Sequence, residues 1–300
     1  MKTKITIVIL ALLSTINVVF GSTNTGKTGA LLWKISGNGL ESPSYILGTF
    51  HLKPAEFLNS IPGAMAALSS VEQVIGELTM NDMAGMQLQM QQAMMMPADV
   101  TYEMLYSEDD FDTVDQHLTA LIGTGLNQLA MMKPAAISLI YTMVMYQKYF
   151  PNLNPADKID IAVQNFAMEN NKSILGLESI DDQLKALFGA SLERQAELLL
   201  CGLQNQEYSI SQIEFLIEYY SRADLDKLGA MMLSDDDPCP SSQEETEKLN
   251  KNRNNNWIQI LPGMIGGKSS FIAVGALHLA GEEGLLNQLE KLGYKVEPVQ

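Results

Sequence analysis

Two of the three histidines in this chain end nearly identical phrases that lie far apart in the sequence. Residues 44–52 read SYILGTFHL and residues 271–279 read FIAVGALHL, so an apolar run is followed in both by Gly-x-x-His, ending at His51 and His278. With 22 glycines and three histidines in 300 residues, chance alone gives about 0.2 such matches. The repeat therefore indicates two related strand ends, each presenting an imidazole ring.

Two imidazoles at matched strand ends suit metal binding or proton transfer. Neutral imidazole is the commonest protein ligand for divalent transition metals, and an added carboxylate suits Zn, Mn, Fe or Co. Glu77 ends a third predicted strand and Glu178 a fourth. Because α/β sheets keep their sites at the carboxyl ends of strands, we expect His51, His278 and Glu77 to converge there. Glu77 would be a ligand or the base that takes a proton from water, and Glu178 is an alternative for that role.

Ordinary structural interpretations stand beside these. A histidine after an apolar strand is often a buried side chain with satisfied hydrogen bonds, and a carboxylate at a strand end often caps a helix. His117 lies in a polar helical stretch without a preceding strand or glycine, so we expect it to be structural. The sequence contains no His-Glu-x-x-His, Gly-x-Ser-x-Gly, phosphate-loop or Cys-x-x-Cys pattern.

A methionine stripe follows Glu77. Met80, Met83, Met86, Met90 and Met94 recur at spacings of three or four, which places them on one face of a helix. Such a stripe usually packs in a core. It also suits an apolar substrate or partner groove, or Cu(I), because thioethers are soft and adaptable.

The elements that would position these residues are strands at both ends of the chain and helices between them. Prolines at 97, 134, 151 and 155 interrupt the helical periodicity, and a turn at 36–39 joins the first two strands as a hairpin. The pattern predicts a mixed α/β (α+β) fold, in which a central sheet is built from both ends of the chain and carries a large helical insertion at about 80–250. The predicted strands are 31–35, 45–47, 71–78, 173–178, the run before His278, and 294–299.

The first 21 residues have the features of a signal peptide. Lys2 and Lys4 precede an almost wholly apolar run at 5–13, and small or tolerated residues come before Ser22. We expect cleavage, export to the periplasm or the extracellular space, and no stable membrane span in the mature chain. Residues 22–300 are long enough for a single domain.

Charge and cysteine content constrain the partners and the compartment. The formal net charge is −16, which disfavours nucleic acid and anionic membrane surfaces as partners. Cys201 and Cys239 are the only cysteines, and an even pair in an exported protein favours a disulfide over two free thiols.

The chain resembles the TraB/GumN family, which is related to the Tiki proteases. The terminal Gly-x-x-His phrases carry most of the resemblance, together with the segments 32–35, 132–134, 176–179, 253–257 and 293–296 in the expected order. The resemblance implies a fold of the EreA, ChaN and Tiki type. It also implies a divalent-metal-dependent protease in which His51, His278 and Glu77 match the essential residues, and Arg253 matches a family arginine. Arg253 would orient Glu77 or stabilise an oxyanion.

Three functions follow from these observations. The first is an exported metal-dependent hydrolase, with a peptidase as the main expectation, that uses Mn, Co or Zn at His51, His278 and Glu77 with support from Arg253, and takes a peptide or small-molecule substrate. The second is a non-enzymatic protein that sequesters a hydrophobic peptide or small ligand in a methionine-lined groove. The third is a metal-independent, esterase-like hydrolase in which His51 or His278 is the base for water.

Overall fold

The structure, a computed structural model, describes residues 27–80, 83–151, 158–231 and 236–300. The predicted signal peptide at 1–21 lies outside the described residues, as does Pro155.

The centre of the fold is one six-stranded sheet. Its order is β4-β3-β5-β2-β1-β6. The strands β4, β3, β5 and β2 pair in parallel. Strand β1 pairs antiparallel with β2, and the edge strand β6 pairs antiparallel with β1. Only β4 comes from the middle of the chain, so the predicted mixed α/β fold with a sheet from both ends is confirmed. The strands are β1 Leu32–Ser36, β2 Ser44–Thr49, β3 Gln73–Gly76, β4 Ser173–Gly176, β5 Ser270–Gly275 and β6 Lys295–Pro298.

The predicted hairpin joins β1 to β2. Gly37, Asn38 and Gly39 all have positive φ, at 76°, 47° and 85°, which glycine and asparagine adopt most readily. The turn sets the register in which Trp33 pairs with Ile46.

Strands β2 and β5, which carry the two histidine phrases, are parallel neighbours. Gly48 lies opposite Val274 and Thr49 opposite Gly275, while the other side of β5 pairs with β3. Residues distant in sequence therefore end their strands at the same edge of the sheet. Both faces of these strands are covered, as expected for a parallel arrangement, and Phe271 and Ile272 are fully buried.

Helices cover the sheet and fill the region between β3 and β5. Two short 3-10 helices, Ala55–Ser60 and Ala276–His278, follow β2 and β5. The α-helices are α1 Ala64–Ser70, α2 Met83–Met94, α3 Tyr102–Leu105, α4 Glu108–Ile122, α5 Leu126–Leu129, α6 Pro134–Tyr149, α7 Ile159–Glu169, α8 Ile180–Phe188, α9 Leu192–Gln204, α10 Gln206–Ser221, α11 Leu225–Met231, α12 Gln243–Leu249, α13 Lys251–Gly267 and α14 Leu285–Lys291.

Local sequence sets several of the helix ends. Pro134 occupies the first turn of α6, where a missing N–H costs nothing. Ser179 before α8 and Ser242 before α12 form capping boxes with the third helical residue, Asp182 and Glu245. The strands that the sequence predicts agree with the structure to within about two residues at each end.

A disulfide joins Cys201 in α9 to Cys239 in the loop before α12, with the two Cα atoms 5.7 Å apart. This confirms the predicted bridge. Within the described ranges, none of the helices combines the length and hydropathy that crossing a membrane requires.

Candidate active site

Four polar side chains follow the four parallel strands at their carboxyl edge. Glu77 comes directly after β3, Glu178 two residues after β4, and His51 two residues after β2. His278 ends the 3-10 helix that follows β5. The predicted placement at one sheet edge therefore matches the order of the strands.

The glycines of the two histidine phrases allow the backbone to approach closely at this edge. A Cβ on Gly48 would lie 3.0 Å from the Ala276 Cα, so the turn after β5 packs directly on β2. The Gly275 N–H donates to Glu77 Oε1 at 2.7 Å, and a Cβ there would lie 3.4 Å from the same oxygen. Each glycine removes a side chain where the chain after β5 meets a neighbouring element.

Arg253 lies between the carboxylates and His278. Its Nη2 donates to Glu77 Oε2 at 2.6 Å and to Glu178 Oε1 at 2.7 Å, and its Nε donates to Glu178 Oε2 at 2.9 Å. Its Nη1 donates to Leu249 O at 3.2 Å and to His278 Nε2 at 3.0 Å. These five bonds use all five N–H donors of the guanidinium. Of the two predicted roles of Arg253, this geometry supports orienting Glu77, because no donor is left for an oxyanion.

Trp257 packs over this cluster one helical turn after Arg253. Its ring centroid lies 4.7 Å from the guanidinium carbon and 4.4 Å from the His278 ring centroid, and its Nε1 donates to Glu178 Oε2 at 3.2 Å. The indole is buried. It therefore excludes water from one face of the ion pairs and strengthens them.

Hydrogen bonds fix the tautomer of His278. The side-chain N–H groups of Asn254 donate to Asn250 Oδ1, to His278 O and to Glu283 O, so Asn254 Oδ1 is an acceptor. The His278 Nδ1, 2.7 Å from that oxygen, must then carry the proton, and Nε2 accepts from Arg253. Burial, together with the charge of Arg253, lowers the pKa of His278 to about 3. His278 is therefore a neutral ring at physiological pH.

Glu77 is ionised and fixed in place. Burial raises the pKa of its carboxyl, but the charge of Arg253, then those of His278 and His51 and the N–H of Gly275, outweigh burial and lower the pKa to about 2. A general base works best with a pKa near the working pH. The structure thus makes Glu77 a strong acceptor but a weak base.

The pKa of the neighbouring carboxylate, Glu178, is shifted in the opposite direction, upwards. Burial raises its pKa above 4.5, and the bonds from Arg253 and Trp257 only partly offset that effect. Of the two carboxylates that pair with Arg253, Glu178 is the more buried, with 5% of its side chain exposed against 11% for Glu77.

His51 pairs with a residue that the sequence did not single out. Its Nδ1 lies 2.7 Å from Oδ2 of Asp160, in the first turn of α7. Burial raises the pKa of Asp160, but the charge of His51 and the hydrogen bond from its ring lower that pKa below 3.8 overall. Asp160 is therefore an acceptor for Nδ1–H, which leaves the other ring nitrogen as a base. Among the described residues nothing bonds to Nε2 of His51, and 22% of its side chain is exposed.

The donor atoms around Arg253 do not fit a metal ion in this arrangement. The Nε2 of His278 and both oxygens of Glu77 are already engaged, and a divalent cation would be repelled by the buried guanidinium. Within the part of the chain that the structure describes, no group of three or more His, Cys, Asp or Glu side chains could hold a metal. A shell of His51, His278 and Glu77 requires Arg253 to move, so it stays a prediction.

A cavity of about 970 Å³ adjoins the cluster. Glu178, Arg253 and Trp257 line one part of it and Leu52 lines another, whereas His51 and Asp160 are not among its lining residues. The remaining wall is largely apolar and comes from α6, α8, α9, α10, α12 and α13. A volume of this size accepts a small-molecule or short peptide ligand.

The other singled-out residues lie elsewhere. His117 is half-buried in α4 and is not among the hydrogen-bond partners of His51, Asp160 or Arg253. Of the methionine stripe, Met86 and Met90 are buried in α2, whereas Met83 is 52% exposed. None of the five stripe methionines lines the cavity, so packing explains the two buried ones.

Comparison with known proteins gives one finding. The model of the TraB/PrgY/gumN family matches residues 31–298, which spans both histidine phrases and every residue of the cluster. No curated protein and no solved structure gives a significant match.

Proposed function

The chain belongs to the TraB/PrgY/gumN family, and on that premise we propose that it is a hydrolase in which His51, oriented by Asp160, activates water. The observation that carries the proposal is the 2.7 Å bond between His51 Nδ1 and Asp160, which leaves Nε2 as the free base on a side chain that is 22% exposed. A histidine oriented by an ionised carboxylate is an effective general base and stabilises the imidazolium that forms.

The proton path uses this pair alone. Water gives a proton to Nε2 of His51 as its oxygen attacks the carbonyl of an ester or amide. The imidazolium, stabilised by Asp160, then returns the proton to the leaving oxygen or nitrogen as the bond to the carbonyl carbon breaks. The proposal thus adopts the third function predicted from the sequence, with His51 rather than His278 as the base. The ring of His278 cannot serve, because Arg253 occupies its Nε2 and its pKa is about 3.

The residues around Arg253 act by position. Arg253 fixes Glu77 and Glu178 with three of its bonds, one to Glu77 and two to Glu178, and holds the ring of His278 with another at 3.0 Å. These hydrogen-bonded, largely buried side chains lie at the same edge of the sheet as His51. They provide a fixed electrostatic field of the kind that favours charge development in a transition state.

The test compares two histidines in the same protein. Purified protein is assayed on p-nitrophenyl esters and on fluorogenic peptides, as wild type, His51→Ala and the matched control His117→Ala. We expect turnover that His51→Ala removes and His117→Ala retains, since His117 lies in α4 and is not a partner of His51 or Asp160. Turnover that survives His51→Ala, or its absence across the whole panel with wild type, contradicts the proposal.

The sequence also predicts that the hydrolase depends on a metal, with Mn, Co or Zn bound by His51, His278 and Glu77. Arg253 occupies Nε2 of His278 and one oxygen of Glu77, so these ligand atoms are not free in this arrangement. Our proposal therefore assigns no step to a metal. Metal analysis of protein purified without chelator, together with melting curves in EDTA and in added Mn, Co or Zn, tests it. Stoichiometric metal that is lost in His278→Ala would support the metal-dependent form.

Ligand capture without catalysis is the second candidate function, and the cavity of about 970 Å³ is the observation that favours it. Its wall is not the methionine groove that the sequence predicted. Under pure capture, His51→Ala would leave ligand affinity and the cellular phenotype unchanged, whereas a hydrolase would lose the phenotype and keep the affinity.

We also propose that the protein acts after export, in the periplasm or outside the cell. The Cys201–Cys239 bridge supports this, because disulfides persist in oxidising compartments. Detection of the mature chain in the cytoplasm with reduced cysteines would count against it.

A further inference from the structure

The end of α2 and the segment before α6 form a short two-stranded ribbon that is rich in methionine. We call residues 94–96 and 131–133 the methionine ribbon, and five of these six residues are methionine. Met95 and Met132, the bridge pair, lie opposite each other in an isolated antiparallel bridge. The ribbon contributes no residue to the hydrogen bonds of the candidate active site, so the proposed hydrolase does not account for it.

Backbone hydrogen bonds fix the geometry of the bridge pair. The N–H of Met96 donates to Met131 O at 2.9 Å, and the N–H of Lys133 donates to Met94 O at 2.8 Å. One bond lies on each side of the bridge pair, which makes it a non-hydrogen-bonded antiparallel pair. In such a pair the Cα atoms are about 4.5 Å apart, and the two side chains leave the ribbon on the same face. The two thioethers therefore start side by side.

The bridge pair is accessible from solvent. Met95 is 38% exposed and belongs to none of the hydrophobic clusters of the described residues, so core packing does not explain it. Met132 packs against two of these clusters but stays partly exposed. The neighbouring pair across the ribbon, Met96 and Met131, lies on the opposite face, and Met96 is only 7% exposed. Of the two pairs, the bridge pair alone presents two accessible methionines on one face.

Paired thioethers suit a soft monovalent cation. Thioether sulfur is neutral and polarizable and favours Cu(I), and the three rotatable bonds of methionine let two such sulfurs converge on one ion. Both cysteines are held in the disulfide, so no thiolate competes for the ion. The net charge of −16 attracts cations to the protein. Lys133 lies on the opposite face of the ribbon from Met132, by the alternation of side chains along a strand.

We propose that Met95 and Met132 bind Cu(I) through their thioether sulfur atoms, on the accessible face of the methionine ribbon. The ion ties the end of α2 to the segment that leads into α6. This site is independent of the proposed hydrolase, because no step of the hydrolysis uses either methionine. It is also separate from the predicted Mn, Co or Zn site, whose ligands are imidazole and carboxylate groups.

The test observes the methionine methyl groups directly. Protein labelled with ¹³C at the methionine εCH₃ groups is titrated without oxygen with Cu(I), supplied as its acetonitrile complex, and followed by two-dimensional NMR. We expect one equivalent of Cu(I) to shift the signals of Met95 and Met132 and to leave that of Met168, which is 50% exposed on α7, in place. Titration with Mg²⁺, which prefers oxygen ligands, should shift neither signal of the bridge pair.

Variants then measure the contribution of each sulfur. Met95→Leu keeps an apolar side chain of similar volume but removes the thioether, and Met168→Leu is the matched control on another exposed methionine. Competition with a chromogenic Cu(I) chelator gives the dissociation constants. We expect Met95→Leu and Met132→Leu each to weaken Cu(I) binding at least about tenfold, since losing even a supporting residue of a metal site typically costs that much. Met168→Leu should bind as wild type does.

Three results would overturn the proposal. The first is the absence of any methyl shift with Cu(I), and the second is a shift spread over the exposed methionines in general, which would mean adventitious binding. The third is Cu(I) binding that survives Met95→Leu but is lost in His51→Ala, which would place the ion at a histidine. His51→Ala should instead bind Cu(I) with wild-type affinity while it loses turnover, so this proposal and the hydrolase proposal can fail separately.

Discussion

Replacing Arg253 by methionine is the perturbation that the site geometry predicts most sharply. Methionine keeps an unbranched side chain but removes every donor, so Glu77 and Glu178 lose their shared cation. Both carboxylates have 11% or less of their side chains exposed, so water replaces the lost bonds poorly. Breaking one partner of a buried ion pair typically costs about 3–5 kcal/mol.

The pKa of Glu77 gives an independent magnitude. It falls from 4.5 to about 2 in the folded protein, and a tenfold change in proton affinity is worth about 1.4 kcal/mol. The ionised Glu77 therefore contributes about 3 kcal/mol of stability at neutral pH. The two magnitudes agree, so we expect Arg253→Met to lower the free energy of unfolding by about 3–5 kcal/mol.

The loss of unfolding free energy in Arg253→Met should become smaller as the pH falls. A carboxylate whose pKa is lowered on folding stabilises the protein fully above the unfolded pKa of 4.5, and this contribution is lost as the pH falls towards about 2. The difference between wild type and Arg253→Met should therefore shrink across that window. Urea unfolding at pH 7 and at pH 3, followed by circular dichroism, measures both values.

Arg222→Met is the matched control. Arg222 pairs with Glu218 on the surface of α10 and is 66% exposed, so its loss should cost less than about 1 kcal/mol. A deficit for Arg253→Met no larger than that of Arg222→Met, or one that is the same at pH 7 and pH 3, would refute the reasoning.

Three further predictions concern the base, the bridge and the glycine turn. Asp160→Asn should lower kcat by about 10²- to 10⁴-fold with a smaller change in KM, because His51 loses its orienting carboxylate; steady-state kinetics that match wild type would contradict this. Replacing Cys201 and Cys239 by alanine should lower the free energy of unfolding by about 3–4 kcal/mol, and an unchanged urea midpoint would contradict it. Gly48→Ala should cost about 1–3 kcal/mol, because the new Cβ would lie 3.0 Å from atoms of the turn after β5; a melting curve identical to wild type would show that the turn yields freely.

The sequence was most informative where function depends on local pattern. An apolar run that ends in Gly-x-x-His identifies a strand end without knowledge of the fold, and its repetition predicted that β2 and β5 lie together. The disulfide was also accessible, since only two cysteines exist. The third strand was predicted at 71–78, which is too long, because β3 covers only Gln73–Gly76. Glu77 already lies beyond the strand, where its carbonyl oxygen accepts the N–H of Leu177.

Contacts between a strand end and a helix could not be predicted from the sequence. Asp160 follows no strand and has no motif around it, so its pairing with His51 depends on how α7 packs beside β3. Asn254 was part of the family resemblance, yet its role depends on where His278 lies. Arg253 was identified, but that all its donors are used could be learned only from distances. Local pattern thus identified the candidate groups, whereas tertiary packing assigned their protonation and roles.

The most direct test of the account is NMR of the protein with ¹⁵N-labelled histidine, assigned by replacing each of the three histidines in turn. We predict that His51 and His278 both carry their proton on Nδ1, and that His278 stays neutral as the pH is lowered to about 3. A His278 that titrates near 6.5, or a His51 protonated mainly on Nε2, would contradict the hydrogen-bonded site on which the hydrolase proposal depends.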